Sequence, residues 1–149
     1  MADEVMRRFV NDIPVPQFET TPFTIPHPLG ELTVAIVTTA ALRRPEDPPF
    51  LRGDESFRLL PSDARNLTVG HASPNWDRSG IAADLNVAYP ADRLQELASE
   101  GVIGAVAPNH ISFHGVIEGN LSTIRLDTGP AAAHRLRHDG VEAVLLTPV

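Results

Sequence analysis

The sequence predicts an α/β fold, with a mostly parallel sheet, flanking helices and a Pro-rich amino-terminal arm. One observation is the β-branched apolar run "LTVAIVTT", which is typical of a strand buried on both faces of a parallel sheet. A second is that the short apolar runs "VIGAVA" and "VEAVLL" each follow a segment with helical signals. Helix–strand units with short connections build parallel sheets. The third is a cluster of five prolines within residues 13–30.

The first 30 residues are predicted to form an amino-terminal arm that is not part of the sheet. The segment "VMRRFV" fits a short amphipathic helix, and the prolines after it lack backbone donors and restrict the residues before them. We therefore predict an arm with a short helix over residues 1–30. Residues 31–149 are predicted to form a single α/β domain.

The middle of the chain predicts short strands separated by loops. The strands are "ELTVAIVTTA", "FRLLP" and "NLTVG", and the turn-rich segment "LRRPEDPPFLRGDES" connects the first two. Because Pro108 and Gly115 flank "NHISFHG", we predict a loop there.

Two helices carry clear boundary signals. In "YPADRLQELASEGVIG", Pro90 suits a first helical turn and Gly101 suits the residue after the helix. In "TGPAAAHRLRHDG", Pro130 and Gly140 occupy the same two positions. Each helix then leads into one of the two short apolar runs, which we predict to be strands.

Composition limits the classes of function. The chain has 149 residues and a formal net charge of −7, and its 12 basic residues are all arginines. An acidic chain without a basic stripe does not fit binding to nucleic acid or to an anionic membrane. Lysine and cysteine are both absent, which excludes a lysine Schiff base and a thiolate within these residues. The lack of cysteine suits a cytoplasmic protein, which is the predicted location.

The loop "GHASPNWDRSGIAADLN" concentrates residue types that carry chemistry. His71 follows the predicted strand "NLTVG", where a histidine can act as base, acid or metal ligand because its unperturbed pKa lies near neutrality. Asp77 or Asp84 could orient it. The alternative is a turn-rich loop whose side chains only cap local backbone.

Two histidine pairs have a spacing of four residues. His110 and His114 would share a face of a helix, but in a loop this spacing loses its meaning. His134 and His138 lie in a predicted helix among arginines and fit a solvated face. We therefore predict no metal site.

Four blocks of the sequence resemble a known family. They are "LTVAIVTTAALRRPEDPPF", "GDESFRLLPSD", "DLNVAYPADRLQELASEGVIGAVAPNHISFHG" and "DGVEAVLLTPV". In this order they resemble the selenoprotein B family of the glycine/betaine/sarcosine/D-proline reductases, in particular its D-proline-reductase-like branch. The resemblance spans roughly residues 22–149, and the block from Asp84 to Gly115 is its most specific part.

The resemblance implies an oxidoreductase that cleaves a carbon–nitrogen bond of a small amino-acid-like substrate with dithiol-derived electrons. It implies as partners other reductase subunits or further copies of the chain. It also implies six site residues by position: His71, Asp84 and His110 as catalytic, and Asn86, Arg43 and Ser112 as substrate-binding. Two positions depart from the family pattern, since Arg43 stands where a histidine is frequent and His114 where methionine is usual.

The resemblance also places the family's redox residue, a selenocysteine or cysteine, directly after the strand that "VEAVLL" represents. This chain ends at Val149, so one hypothesis is that the gene model was stopped at a selenocysteine codon, which would leave the domain of residues 31–149 incomplete at its carboxyl end. In that case a selenocysteine follows Val149, and these residues themselves hold no cofactor. Two alternatives stay open: a non-catalytic α/β module for substrate binding or assembly, and a His/Asp metal-dependent hydrolase.

Overall fold

The fold was described from a computed structural model of the chain. It describes residues 2–12, 17–20, 24–71, 76–117 and 121–149. The helices are α1 (Ala2–Asn11), α2 (Ser79–Ala83), α3 (Ala91–Ser99) and α4 (Gly129–His138). The strands are β1 (Thr33–Thr38), β2 (Leu42–Arg43), β3 (Arg58–Pro61), β4 (Thr68–Val69), β5 (Ala105–Val106), β6 (Asn109–Ser112) and β7 (Ala143–Thr147).

The main sheet confirms the predicted α/β class. Strand β1 is central and pairs in parallel with β5 and β6 on one side and with β7 on the other. Strand β3 is the exception, because it runs antiparallel to β6. Strands β2 and β4 form a separate antiparallel pair.

Helices cover the two faces of the sheet. Val34 and Ile36 of β1 belong to a core that includes Leu94 of α3. Ala35, the residue between them, belongs to a second core that includes Leu136 of α4. Successive side chains of a strand point to opposite faces, so an unbroken apolar run in β1 is what a sheet between two helices requires.

The predicted helix boundaries are confirmed at both long helices. Pro90 precedes α3 and Pro130 lies in the first turn of α4. Gly101 and Gly140 follow the two helices with φ angles of +72° and +77°, a conformation that costs glycine little. A π-helical turn at Ile124–Thr128 precedes α4 and is not indicated by the sequence pattern.

The predicted loop at "NHISFHG" is wrong, because Asn109–Ser112 is strand β6. It pairs on both sides, with β1 and with β3. Pro108 does interrupt the strand, since the register with β1 shifts by two residues between β5 and β6. The proline therefore produces a bulge rather than a loop.

Strand β7 is an edge strand with apolar side chains on both faces. By register, Val144 and Leu146 share a face with Ala35 and Val37, and Leu145 lies on the opposite face. Val144 and Leu145 are about two-fifths exposed, and Leu146 is 68 % exposed. Strand β7 therefore presents apolar side chains to solvent at the edge of the sheet.

The amino-terminal region contains the predicted short helix, α1, at Ala2–Asn11. Of the proline cluster, residues 13–16 and 21–23 lie outside the described residues, so the extended arm stays a prediction there. No helix in the described part of the chain is long and apolar enough to cross a membrane.

Candidate functional site

The residues that converge at the carboxyl end of β1 are Thr39, His71, His114, Gly115 and Val149, here called the carboxyl-edge cluster. Thr39 follows β1 directly. Its Oγ1 accepts a hydrogen bond from the backbone N–H of Val149 at 2.9 Å and donates one to the carbonyl oxygen of Val149 at 3.2 Å. The Thr39 N–H also donates to the carbonyl oxygen of Thr147 at 3.3 Å. The residues after β7 are thereby fixed beside β1.

His71 reaches the cluster through the small β2–β4 sheet. Leu42 pairs with Val69, and the Gly70 N–H donates to the carbonyl oxygen of Ala41 at 2.9 Å. A Cβ on Gly70 would lie 3.1 Å from the same oxygen, so a larger residue would crowd this contact. His71 comes next and is buried, with only 5 % of its surface exposed.

Gly115 is the point where three groups of the cluster meet. A Cβ atom on this residue would lie 2.8 Å from Nε2 of His71, 3.0 Å from the carbonyl oxygen of Val149 and 3.1 Å from that of Thr39. The first distance is shorter than carbon atoms show and the other two are tight, so a larger residue would require a shift. The imidazole of His71 consequently lies close to the backbone end of Val149.

The surroundings of His71 favour the neutral form of its imidazole. Burial lowers its pKa below the usual histidine value, and the neighbouring His114 and Arg78 lower it further by repulsion of the protonated form. A neutral imidazole beside a reacting group can take up a proton and return it later. Its surroundings therefore suit a general base or acid.

His110, predicted as catalytic, lies in the core. It is fully buried, and its Nδ1 accepts the backbone N–H of Ile36 at 3.1 Å. Because the bulge after Pro108 interrupts the ladder opposite Ile36, the imidazole replaces a missing carbonyl acceptor. Burial lowers the pKa of His110 to about 4, and its Nε2 has no hydrogen-bond partner among the described residues.

Two predicted substrate-binding residues also contact backbone. Ser112 is fully buried, and its Oγ accepts the N–H of Leu42 at 2.7 Å, which joins β6 to the small sheet. Arg43 donates from Nη1 to the carbonyl oxygens of Arg44, Pro45 and Asp47 at 3.1–3.2 Å. Arg43 therefore closes the turn that follows β2.

Asp84 and Asn86 are brought together at the start of α3. Asp84 accepts hydrogen bonds from the backbone N–H and the side-chain amide of Asn86, both at 2.9 Å. These bonds lower the pKa of Asp84. The Asn86 amide also donates to Asp92 and accepts the Asp92 N–H. The structure thus shows the capping arrangement that was the alternative for this loop.

The carboxyl-edge cluster contains four residues that were not predicted as site residues, and of these Val149 was marked only as the residue before the family's redox position. Thr39 and Gly115 carry no motif in the sequence, and their roles depend on contacts between distant segments. His114 carried one signal, because it departs from the methionine usual in the resembling family. Among the described residues, no group of three or more His, Asp or Glu side chains is arranged to hold a metal ion.

Comparison with known proteins identifies relatives over most of the chain. The model of the glycine/sarcosine/betaine reductase selenoprotein B family matches residues 5–149. D-proline reductase subunit gamma of Acetoanaerobium sticklandii is 40 % identical over 122 residues, which cover 80 % of this chain and 49 % of that protein. Sarcosine reductase complex component B subunit beta of Peptoclostridium acidaminophilum is 27 % identical over 150 residues, which cover 94 % of this chain and 33 % of that protein.

The chain thus spans about half the length of the first relative and a third of the second. No solved structure matches it. The family match covers nearly every residue and includes all five members of the carboxyl-edge cluster. The resemblance stated from the sequence is confirmed, and the chain belongs to the glycine/sarcosine/betaine reductase selenoprotein B family.

Proposed function

We propose that this chain is the amino-terminal part of a reductase B subunit that reductively cleaves a carbon–nitrogen bond of a small amino-acid-like substrate. The observation that carries the proposal is the fixation of Val149 by Thr39 beside the imidazole of His71. In an α/β sheet the carboxyl ends of parallel strands are the usual place for reacting groups. The proposal includes other reductase subunits as partners and a cytoplasmic location.

The nucleophilic and redox chemistry would come from a selenocysteine or cysteine directly after Val149. The cluster suits such a neighbour, because the backbone at Val149 is held by two hydrogen bonds and a buried imidazole lies close to it. A neutral His71 would accept the proton of the selenol or thiol and so favour its nucleophilic form. The same ring would later donate a proton to the departing amine.

The lengths of the relatives support a longer natural polypeptide. Two proteins of the family, both named as subunits of reductases, extend well beyond the part that matches this chain. The exposed apolar side chains on both faces of β7 also fit a strand that normally lies inside a larger sheet.

The nucleotide sequence after codon 149 tests this proposal. We expect an in-frame UGA or cysteine codon, followed by a reading frame that encodes a helix and further α/β structure. A different stop codon, or a downstream frame without this pattern, would contradict the proposal.

A non-catalytic assembly module is the second candidate. The exposed apolar strand β7 favours it, because such a strand can add to the sheet of a partner chain. This function requires a natural polypeptide that ends at Val149 and a partner bound along β7. The intact mass of the endogenous protein separates the two candidates, since the module has the 16.1 kDa of this chain.

A further inference from the structure

Four rings form a column beside the carboxyl end of β1. Phe50 and His114 stack at 6.1 Å between ring centroids with an angle of 23°. His114 and His71 are 5.3 Å apart at 34°, and His71 and Trp76 are 4.3 Å apart at 48°. The ring of His71 therefore contacts two other rings.

His114 is the most firmly held member of this column. It is 1 % exposed, and its Nδ1 lies 3.0 Å from the carbonyl oxygen of Val116. Because a carbonyl only accepts, Nδ1 carries the proton and donates it. The backbone of His114 forms a bridge with Ala40, and the ring of Phe50 stacks on the ring of His114.

The column continues to a cation at its far end. The Arg58 guanidinium lies 4.3 Å from the centroid of the Phe50 ring, and Asp54 pairs with Arg58 at 3.1 Å. A cation over an aromatic face is attractive, and the neighbouring carboxylate balances its charge. Phe50 thus has a fixed position from which it supports His114.

We infer that His114 is a positioning residue, which holds the imidazole of His71 over Gly115 and beside the carbonyl of Val149. The inference concerns the position of His71, and only the use of that position in catalysis rests on the proposed function. Aromatic contacts of this kind favour particular ring arrangements in addition to burying area. A methionine at this position could fill the space but would not offer a flat face.

Burial is the largest cause of the lowered pKa of His71, and the groups around the ring lower it further. Among the described residues, the titratable or cationic groups that lower the pKa of His71 are His114 and Arg78, and Arg58 and Asp54 lie at the Phe50 end of the column. His114 lowers the pKa of His71 because it disfavours the protonated form of that ring by repulsion. His114 therefore affects both the place and the protonation of His71.

Two replacements at position 114 separate the contribution of the flat ring from that of the Nδ1 hydrogen bond. His114→Phe keeps a flat ring and loses the Nδ1 donor, whereas His114→Asn keeps a donor and loses the ring. We expect nuclear Overhauser contacts between His71 and Gly115 to persist in His114→Phe and to weaken or disappear in His114→Asn. In both variants we expect the pKa of His71 to rise, because the repulsion that His114 exerts on the protonated form of His71 is removed.

His134→Phe is the matched control, since His134 is exposed on α4 and should leave His71 unchanged. Unaltered contacts and an unaltered titration of His71 in a folded His114→Asn protein would overturn the inference. If neither variant folds, the unaltered chain supplies the test. The inference requires Overhauser contacts from the His71 ring to both His114 and Gly115, and their absence would overturn it. None of these measurements needs enzymatic activity, so the inference and the proposed function fail separately.

Discussion

Thr39 and Val149 are joined by two hydrogen bonds through a single hydroxyl group, one to each polar group of the Val149 backbone. Thr39 lies just past the central strand and Val149 just past the edge strand, 110 residues later in the sequence. The threonine side chain therefore extends the β1–β7 pairing beyond the last ladder pair, Thr38 with Thr147. This contact fixes the direction in which the backbone leaves the sheet.

Replacing Thr39 with valine should release the end of β7. The change removes both hydrogen bonds and keeps the side-chain shape, and we expect a loss of about 1 kcal/mol in the free energy of unfolding. Hydrogen exchange of the Val149 amide should become faster, because that amide loses its acceptor. Thr33→Val in the same strand is the control, since no described residue hydrogen-bonds the Thr33 hydroxyl. Equal exchange rates of the Val149 amide in the two variants would contradict the role of Thr39 in holding the end of β7.

Gly115→Ala should disturb the cluster more strongly. The added carbon would lie 2.8 Å from His71 Nε2 and 3.0 Å from the Val149 carbonyl oxygen, so at least one group must move. We expect a destabilisation of about 1–3 kcal/mol in urea unfolding, in the range for overpacked sites. Gly80→Ala in α2 is the control, because its added carbon meets only Val87, at 4.0 Å. A Gly115→Ala protein as stable as the control would show that the cluster has spare room.

Stability should depend on pH through His110. Its pKa is about 4 in the folded chain, against 6.5 when unperturbed. The unfolded chain therefore binds a proton that the folded chain excludes, and stability falls as pH decreases from 6.5 towards 4. For this group we expect a loss on the order of 2 kcal/mol in the free energy of unfolding between pH 7 and pH 5.

Urea unfolding of His110→Gln at the two pH values isolates this contribution. The variant keeps an acceptor for the Ile36 N–H and lacks the titrating group, so its stability should change less with pH. His134→Gln serves as control and should retain the pH dependence of the unaltered chain. An identical pH dependence in both variants would exclude His110 as the cause.

The exposed edge of β7 should make the 149-residue chain self-associate. Leu146 is 68 % exposed and lies on an edge strand with no charged residue, and an unprotected apolar edge favours pairing with another chain. We expect sedimentation velocity to detect dimers or larger species, and Leu146→Lys to shift the chain towards monomer. Leu126→Lys is the control, because Leu126 is 79 % exposed elsewhere. A stable monomer before any substitution would contradict this expectation.

The fold could be predicted where local signals agree with the final packing. The helices α3 and α4 have a proline at the start and a glycine after the end, and both signals act within one or two turns. The apolar run of β1 directly reflects burial on both faces. The strand β6 was missed because Pro108 indicates a break locally, while β1 and β3 supply partners from distant parts of the chain.

The candidate site could be predicted only in part. His71 was identified because a histidine after a strand is a recognisable signal, and the structure places it beside Val149. Thr39 and Gly115 are common residue types whose roles arise from packing between segments more than 30 residues apart. Conversely, His110 and Ser112 resemble catalytic residues by type, but both accept backbone N–H groups in the core.

The central claim is that the backbone held beside His71 continues into a redox residue. Trypsin cleaves after Arg137, and no later lysine or arginine occurs in the chain, so the last tryptic peptide begins at His138. Mass spectrometry of this peptide from the endogenous protein is the most direct test. We expect it to extend past Val149 with a selenocysteine or cysteine as the next residue. A peptide that ends at Val149 with a free carboxyl group would contradict the claim.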